Sequence, residues 1–353
     1  MESQPRLSRR KVLFGLAGLT VAGGGMVGLG VKALARLFTY PTVLVYRGHA
    51  DLVEAVSWAS DGKRIASASG DGTVQIWDAL TGARLLTYRG HATIALDVVW
   101  SPDGKQIASA GFTREMGSDS SGVHIWNPNN GQDFLAIPNS GAGESDALVW
   151  SPYGTMVAAA SGEGVQVFDA SSGTLLLTHS PKDTLFKNVA WSPDGTRLAS
   201  GGSNIDAETA PIEVWDARTS KTLLTYHGHD VGVFPAVKTI AWSPDSQRIV
   251  SGGSDGVVQV WDASSGKRLF AYQGHHQSSY GYIRAVAWSP DGQRIASSGD
   301  DATVQVWNAA TGETLIVYSQ HAPQSVFSLA WSPDGTRIAS GGGDKTVRVW
   351  RAE

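Results

Sequence analysis

The sequence predicts an all-β fold, a seven-bladed β-propeller whose last blade is closed by an N-terminal strand. Three observations carry this reading. All thirteen tryptophans fall at two positions of a unit that recurs seven times. The first position precedes a Ser-Pro-Asp-Gly-type turn: Trp58, Trp100, Trp150, Trp191, Trp242, Trp288 and Trp331. The second ends a Val-Gln-Val-Trp-type strand: Trp77, Trp126, Trp215, Trp261, Trp307 and Trp350, with Phe168 in the missing place. Turn clusters then recur about every 8–12 residues between β-branched and aromatic runs, an all-β signature. A unit of about 45 residues cannot bury its own apolar face, so each must stack on its neighbours.

Within the first unit the strands are expected at Leu52–Trp58, Arg64–Ser69, Thr73–Trp77 and Arg84–Tyr88, separated by Ser60-Asp61-Gly62, Gly70-Asp71-Gly72 and Asp78–Gly82. Proline presets φ for the first turn position, and glycine supplies the positive φ of a bulged type I turn. Four antiparallel strands make a propeller blade. The seventh unit supplies only three strands, and Thr42–Tyr46 reads as an orphan fourth strand ahead of the first. Pairing it with Thr346–Trp350 completes the ring and leaves no blade edge open at that joint.

Composition narrows the function. A hydrophobic fraction of 42% excludes disorder. The absence of cysteine excludes disulfides, thiolate metal sites and a cysteine nucleophile. The net charge is −4, and the first 35 residues hold five cations against one anion, so the body is more acidic still. That balance argues against nucleic-acid partners. No Gly-rich phosphate loop, His-x-x-x-His pair or Ca²⁺ loop occurs, so no cofactor and no metal ligand set is expected.

Residues 1–35 stand apart from the repeats, leaving 36–353 as the propeller. Ser8-Arg9-Arg10-Lys11-Val12-Leu13-Phe14 resembles a twin-arginine export motif. The uncharged stretch 12–31 and Ala33-Leu34-Ala35 then read either as a cleaved signal peptide or as a retained membrane anchor. A helix of that length reaches about 30 Å, enough to span a bilayer. Either reading expects an exported body of bacterial type, secreted or tethered, touching the membrane only through this segment.

The phrases Tyr46-Arg47-Gly48-His49, Trp288-Ser289-Pro290-Asp291-Gly292, Ile295-Ala296-Ser297 and Trp261-Asp262 make residues 42–353 similar to the WD40 (Trp-Asp repeat) family. The resemblance implies a monomeric propeller and a structural tetrad of hydrogen-bonded side chains in each complete blade. By position these are His49, Ser67, Asp71 and Trp77; His229, Ser251, Asp255 and Trp261; His275, Ser297, Asp301 and Trp307; and His321, Ser340, Asp344 and Trp350. A hydrolase triad could be imagined from His, Ser and Asp, but a group repeated in four blades is scaffold. A buried Trp Nε1–H needs an acceptor and a buried carboxylate needs donors. Blade two keeps His91, Ser109 and Trp126 without a clear Asp, and blades three and four lack Gly-His and are expected to be softer.

Loop lengths carry the functional signal. First-strand Trp to the second-strand Ser position is 9 residues in all seven units, and third-strand Trp position to fourth-strand Tyr position is 11 in all six internal connections. The second-to-third connection runs from 9 to 17, with inserts at Phe112–Gly122 and Ser203–Pro211, and the fourth-to-first from 12 to 16. Antiparallel alternation puts both variable sets on one face, which is what a binding surface predicts. Anchors expected there are Phe112, Arg114, Met116, Phe234, Lys238, Tyr280, Tyr282 and Arg284, aromatic and cationic types that dominate interfaces. The partner class is a protein or peptide docking on a non-enzymatic scaffold in the cell envelope. The competing reading is a hydrolase or a sugar- or metal-binding module at the channel mouth, using Glu144, Asp146, Asp206, Glu208, Asp230 or His276.

Overall fold

The computed structural model describes residues 42–112, 122–138, 145–161, 164–181, 184–204, 208–229, 236–275 and 281–352, without the side chains of Phe112, Pro138, Ser145 and Asp146. It contains seven four-stranded antiparallel sheets, with strands numbered β1–β28 in chain order. The first blade is β2 (Val53–Trp58), β3 (Arg64–Ser69), β4 (Val74–Asp78) and β5 (Arg84–Tyr88), each within one residue of the sequence expectation. Six blades take four consecutive strands. The seventh takes β26 (Val326–Trp331), β27 (Arg337–Gly342) and β28 (Val347–Arg351), and β1 (Thr42–Tyr46) pairs with β28 from the other end of the chain. The innermost strands pack one against the next in a closed circle. The putting together of first and last strands is what makes that circle cooperative, since every blade then has two neighbours.

Two bulges recur in every blade. On each innermost strand the ladder slips at the fourth residue before the Trp, and on each outermost strand it slips at the second residue. The outer bulge residue is apolar and exposed in all seven blades: Val43, Leu85, Phe134, Leu176, Leu223, Leu269 and Leu315. A bulge leaves one residue unpaired and increases local twist, which interrupts an otherwise straight hydrogen-bonding edge.

The blades are joined by aromatic rings. The last residue of an outermost strand lies flat on the third-strand tryptophan of the next blade: Tyr46 on Trp77, Tyr88 on Trp126, Tyr226 on Trp261, Tyr272 on Trp307 and Tyr318 on Trp350, with centroids 4.3–4.9 Å apart. These tryptophans have no solvent exposure. Ile137 and Phe168 meet in the core at the joint between blades two and three. Between blades three and four His179 stacks on Trp215 at 4.5 Å.

A second set of joints uses the other tryptophans. Each Arg that opens a second strand lays its guanidinium over the first-strand Trp of the next blade: Arg64 over Trp100, Arg197 over Trp242, Arg248 over Trp288, Arg294 over Trp331 and Arg337 over Trp58, at 4.6–4.9 Å. The Trp indole N–H of the next blade reaches back to a main-chain carbonyl in five joints, for example Trp242 to Ala190 at 3.1 Å. Blade three departs from this pattern on both sides. Gln106 and Met156 stand where arginine is found elsewhere, and Trp191 Nε1 has no partner. The two joints without the arginine are thus the two that blade three makes, one of them with blade four.

Replacing Gln106 by Arg should place a guanidinium over Trp150 and raise stability by roughly 0.5–1 kcal/mol, the exposed cation–π range. A shift in the denaturation midpoint at unchanged m-value checks it. Met156→Arg should gain less, because Met156 already packs against the core between blades three and four.

Candidate functional site

The face carrying the fourth-to-first and second-to-third connections is built over the upper ends of the innermost strands. The inner bulge puts one residue per blade at this position: Glu54, Leu96, Asp146, Lys187, Lys238, Arg284 and Phe327, on β2, β6 (Ile94–Trp100), β10 (Ser145–Trp150), β14 (Leu185–Trp191), β18 (Val237–Trp242), β22 (Ile283–Trp288) and β26. Bulges re-aim a side chain without ending the strand. Sequence reasoning assigned Lys238 and Arg284 to loop extensions. They lie instead inside strands, as bulge residues four positions before Trp242 and Trp288, the register of Glu54 before Trp58.

The expected anchors divide accordingly. Tyr282, Lys238 and Arg284 come together: Lys238 Nζ lies 5.7 Å from the Tyr282 ring centroid and the Arg284 guanidinium 5.3 Å from it. Arg284 also faces Phe327 at 5.6 Å and is held by a two-point ion pair to Asp300, at 2.7 and 3.1 Å. Phe112 ends the second strand of blade two rather than opening a loop. Arg114, Met116, Phe234 and Tyr280 lie outside the described residues, as do Glu144, Asp206, Asp230 and His276. Glu208 is an exposed turn residue with φ of 51° beside the Asn204–Thr209 bridge. Phe327 was not singled out from the sequence. Its cue was present, since it occupies the register position of Lys238 and Arg284.

Beneath this surface lie the repeated polar groups. In blade five His229 Nδ1 is 2.8 Å from Asp255, its Nε2 2.9 Å from Ser251 Oγ, and the Trp261 indole donates to the same Oγ at 3.1 Å. Blade six repeats this with His275, Asp301, Ser297 and Trp307 at 2.9, 2.8 and 3.2 Å. In blade one His49 joins Asp71 and Ser67 at 3.0 and 2.8 Å, while Trp77 Nε1 finds no acceptor. In blade seven His321 and Trp350 meet Ser340, and Asp344 lies 3.0 Å from His321 Nδ1 while also holding Arg348. Burial works against the charge on Asp301, but hydrogen bonds from His275 and Thr303 hold its carboxyl below the ordinary range. In this geometry the serine accepts from tryptophan and serves histidine, so its oxygen is committed inside the blade.

In blade two no aspartate pairs with the histidine among the described residues. His91 keeps Ser109 at 2.8 Å, but its Nδ1 has no partner. Burial, with His124 beside it, pushes its pKa down to about 3, so the ring stays neutral. His124 takes the place of the glutamine found in blades one, three, five and six and, like Gln75, Gln259 and Gln305, meets the tyrosine of the preceding blade, Tyr88 Oη, at 2.8 Å.

The nearest approach to a hydrolase constellation is elsewhere: Ser220 Oγ is 3.2 Å from His179 Nδ1, and His179 Nε2 is 2.9 Å from Glu213. The Ser220 carbonyl lies equally close to Nδ1, at 3.1 Å, and Ser220 Oγ donates to the Thr178 carbonyl at 3.0 Å. The imidazole thus faces one carbonyl and one carboxylate, both acceptors. The Ser220 hydroxyl is already committed to the Thr178 carbonyl, and the ring nitrogen beside it is shared with the Ser220 carbonyl, so the groups are not aligned as nucleophile and base. Among the described residues no group of three or more His, Asp or Glu is arranged to hold a metal ion.

Along the innermost strands a polar side chain of one blade caps a free main-chain N–H of the next. Asn188 accepts from Ile240 at 3.1 Å, Thr239 from Val286 at 3.0 Å and Ser328 from Val56 at 3.1 Å. Asp97 does the same for Leu148 at 2.7 Å, and desolvation among the crowded strands pushes its pKa up to about 6, against two N–H bonds that lower it.

The matched residues place the chain in a known family. It belongs to the WD40 family, described as "WD domain, G-beta repeat", which matches residues 41–78, 82–127, 173–205, 220–262, 266–308 and 312–351. The interval between the second and third of these, 128–172, holds the outermost strand of blade two and the first three strands of blade three, where tetrad and joints both depart from the repeat. The WD repeat-containing protein slp1 of Schizosaccharomyces pombe is 29% identical over 201 residues, 56% of this chain and 38% of that protein. The WD repeat-containing protein 1 of Bos taurus is 27% identical over 214 residues, 60% of this chain and 34% of that protein. A ribosome biogenesis protein BOP1 homolog of Drosophila virilis is 56% identical over 45 residues, 12% of this chain and 6% of that protein. The chain thus spans well under half the length of these relatives.

These relatives overturn one expectation. They are eukaryotic WD-repeat proteins, one of them named for ribosome biogenesis, a process inside the cell, and they point away from an exported bacterial type. They speak against an exported location in either its secreted or its anchored form. Residues 1–35, with the stretch 12–31, lie outside the described residues, and among the described ones no helix is long and apolar enough to cross a membrane. A twin-arginine-like heptapeptide is short, and Arg-Arg-Lys before an uncharged run is weak evidence beside seven repeats.

Two stability measurements follow. Ser251→Ala leaves Trp261 Nε1 and His229 Nε2 without partners, and should cost about 2–4 kcal/mol by denaturant unfolding. Asp97 has a folded pKa above its ordinary 3.8, so it opposes folding increasingly as pH rises from about 4 to about 6. Asp97→Asn should flatten that stretch of the stability–pH curve and stabilise the protein by about 1–2 kcal/mol at pH 7.5.

Proposed function

We propose that the protein is a non-enzymatic interaction scaffold that docks a protein or peptide on the face carrying the variable loops. The observation that carries this reading is the confinement of loop-length variation to one face, over a ring of bulge residues that differs from blade to blade. The opposite face keeps turns of constant length and carries Arg–Trp joints at five of the seven blade boundaries. A surface selected only for folding has no reason to vary at one end of every strand and stay constant at the other. The half-buried group of Tyr282, Arg284, Lys238 and Phe327 gives this face aromatic and cationic contacts of the type that concentrate binding energy. Tyr282 costs little entropy to fix, because cations already flank its ring.

The test is affinity capture with the full chain against two variants. Tyr282→Ala with Lys238→Ala alters the proposed face. Leu80→Ala with Tyr153→Ala alters the two most exposed apolar side chains of the opposite face. The first variant should weaken a captured partner about 30-fold or more, the size of a hot-spot loss. The second should bind as the unaltered protein does. The reverse pattern would move the docking site to the other face.

A further inference from the structure

We propose that the docking face takes an acidic peptide segment bearing an apolar or aromatic residue, laid across the innermost strands of blades four to six. This rests on the docking reading above and adds the chemistry of the partner.

Going round the ring from blade one to blade seven, the bulge positions hold Glu54, Leu96, Asp146, Lys187, Lys238, Arg284 and Phe327. Charge is sorted by sign. The three cations occupy three consecutive blades, whereas the two acidic positions are separated from each other by leucine. A chain crossing blades four, five and six meets a cation at every step, on a protein whose net charge is −4. Lys187 is exposed, and Lys238 and Arg284 are half-buried. Half-burial matters because a charge pair formed there is screened less by salt than one at an open surface.

Arg284 is also oriented. Asp300 takes its Nε and Nη2, fixing the plane of the guanidinium between the Tyr282 and Phe327 rings. The remaining nitrogen of the fork is not part of that two-point pair, which suits it to a further carboxylate. Glu54 bounds the arc on the far side of Phe327. Its carboxyl is pushed up by desolvation and by Asp51, and drawn down by Arg284. An acidic segment is therefore attracted over blades four to six and repelled at blade one, so the arc fixes where along the ring the segment lies. Phe327, followed round the ring by Glu54, provides an apolar contact at the end of the cationic run. This is the reason for an apolar or aromatic residue at one end of the acidic stretch.

The probe is a displayed library of random peptides, selected on the full chain and then measured individually by fluorescence anisotropy. Enrichment of Asp and Glu beside an aromatic or aliphatic residue is expected. Binding should weaken about tenfold in Lys187→Glu with Lys238→Glu, and should fall as salt is raised. The neutral pair Lys187→Gln with Lys238→Gln should give a smaller loss in the same direction, and matched thermal melts exclude unfolding as the cause. Peptides that are neutral or basic, yet lose binding in Tyr282→Ala, would overturn the acidic partner and leave the docking face standing. Peptides insensitive to all of these variants, or no selected peptides at all, would overturn both.

Discussion

The flat contact between an outermost-strand ring and the tryptophan of the following blade is the interaction on which the remainder depends. It joins two sheets that share no main-chain ladder, and it buries the largest side chain available at the point where each blade would otherwise expose its apolar face. The serine beneath the indole gives the N–H an acceptor, the histidine gives the serine a partner, and the aspartate gives the histidine one. Each member of the tetrad is thus explained by the one before it, beginning with the need to bury tryptophan dry. Where the tryptophan is absent, as at Phe168 in blade three, the serine, the Gly-His and the arginine joints lapse together.

That dependence explains how much of the architecture the sequence disclosed. Thirteen tryptophans in fixed register specified the number of blades, and the orphan strand at Thr42–Tyr46 specified how the ring closes. Strand limits came within a residue because turn glycines and aspartates mark them locally. What the sequence did not disclose was contact between units. The stacking of Tyr226 on Trp261, or of Arg197 on Trp242, joins residues far apart in the chain, and a repeat read one unit at a time has no view across its own boundary.

The proposed docking face is legible in outline only. Loop lengths single out one end of the strands, and Tyr282 stands there as an interface-type residue. Lys238 and Arg284 were identified too, but as loop residues, because a bulge inserts one residue without leaving any signal in composition. Phe327 went unnoticed for the same reason, although register places it with them. The N-terminal heptapeptide misled for a different cause. A short charged motif before a run of small apolar residues arises easily, and it carries little weight beside eukaryotic relatives.

The bulge on every outermost strand has a consequence for behaviour at high concentration. A wheel with seven straight outer edges would offer seven templates for strand addition from a neighbouring wheel. Here each edge is broken at Val43, Leu85, Phe134, Leu176, Leu223, Leu269 or Leu315, so an incoming strand loses register within a few residues. The exposed leucines, which look like an invitation to associate, sit where regular pairing is prevented. Crowding should therefore bring these rims into contact without zipping them into lateral polymers.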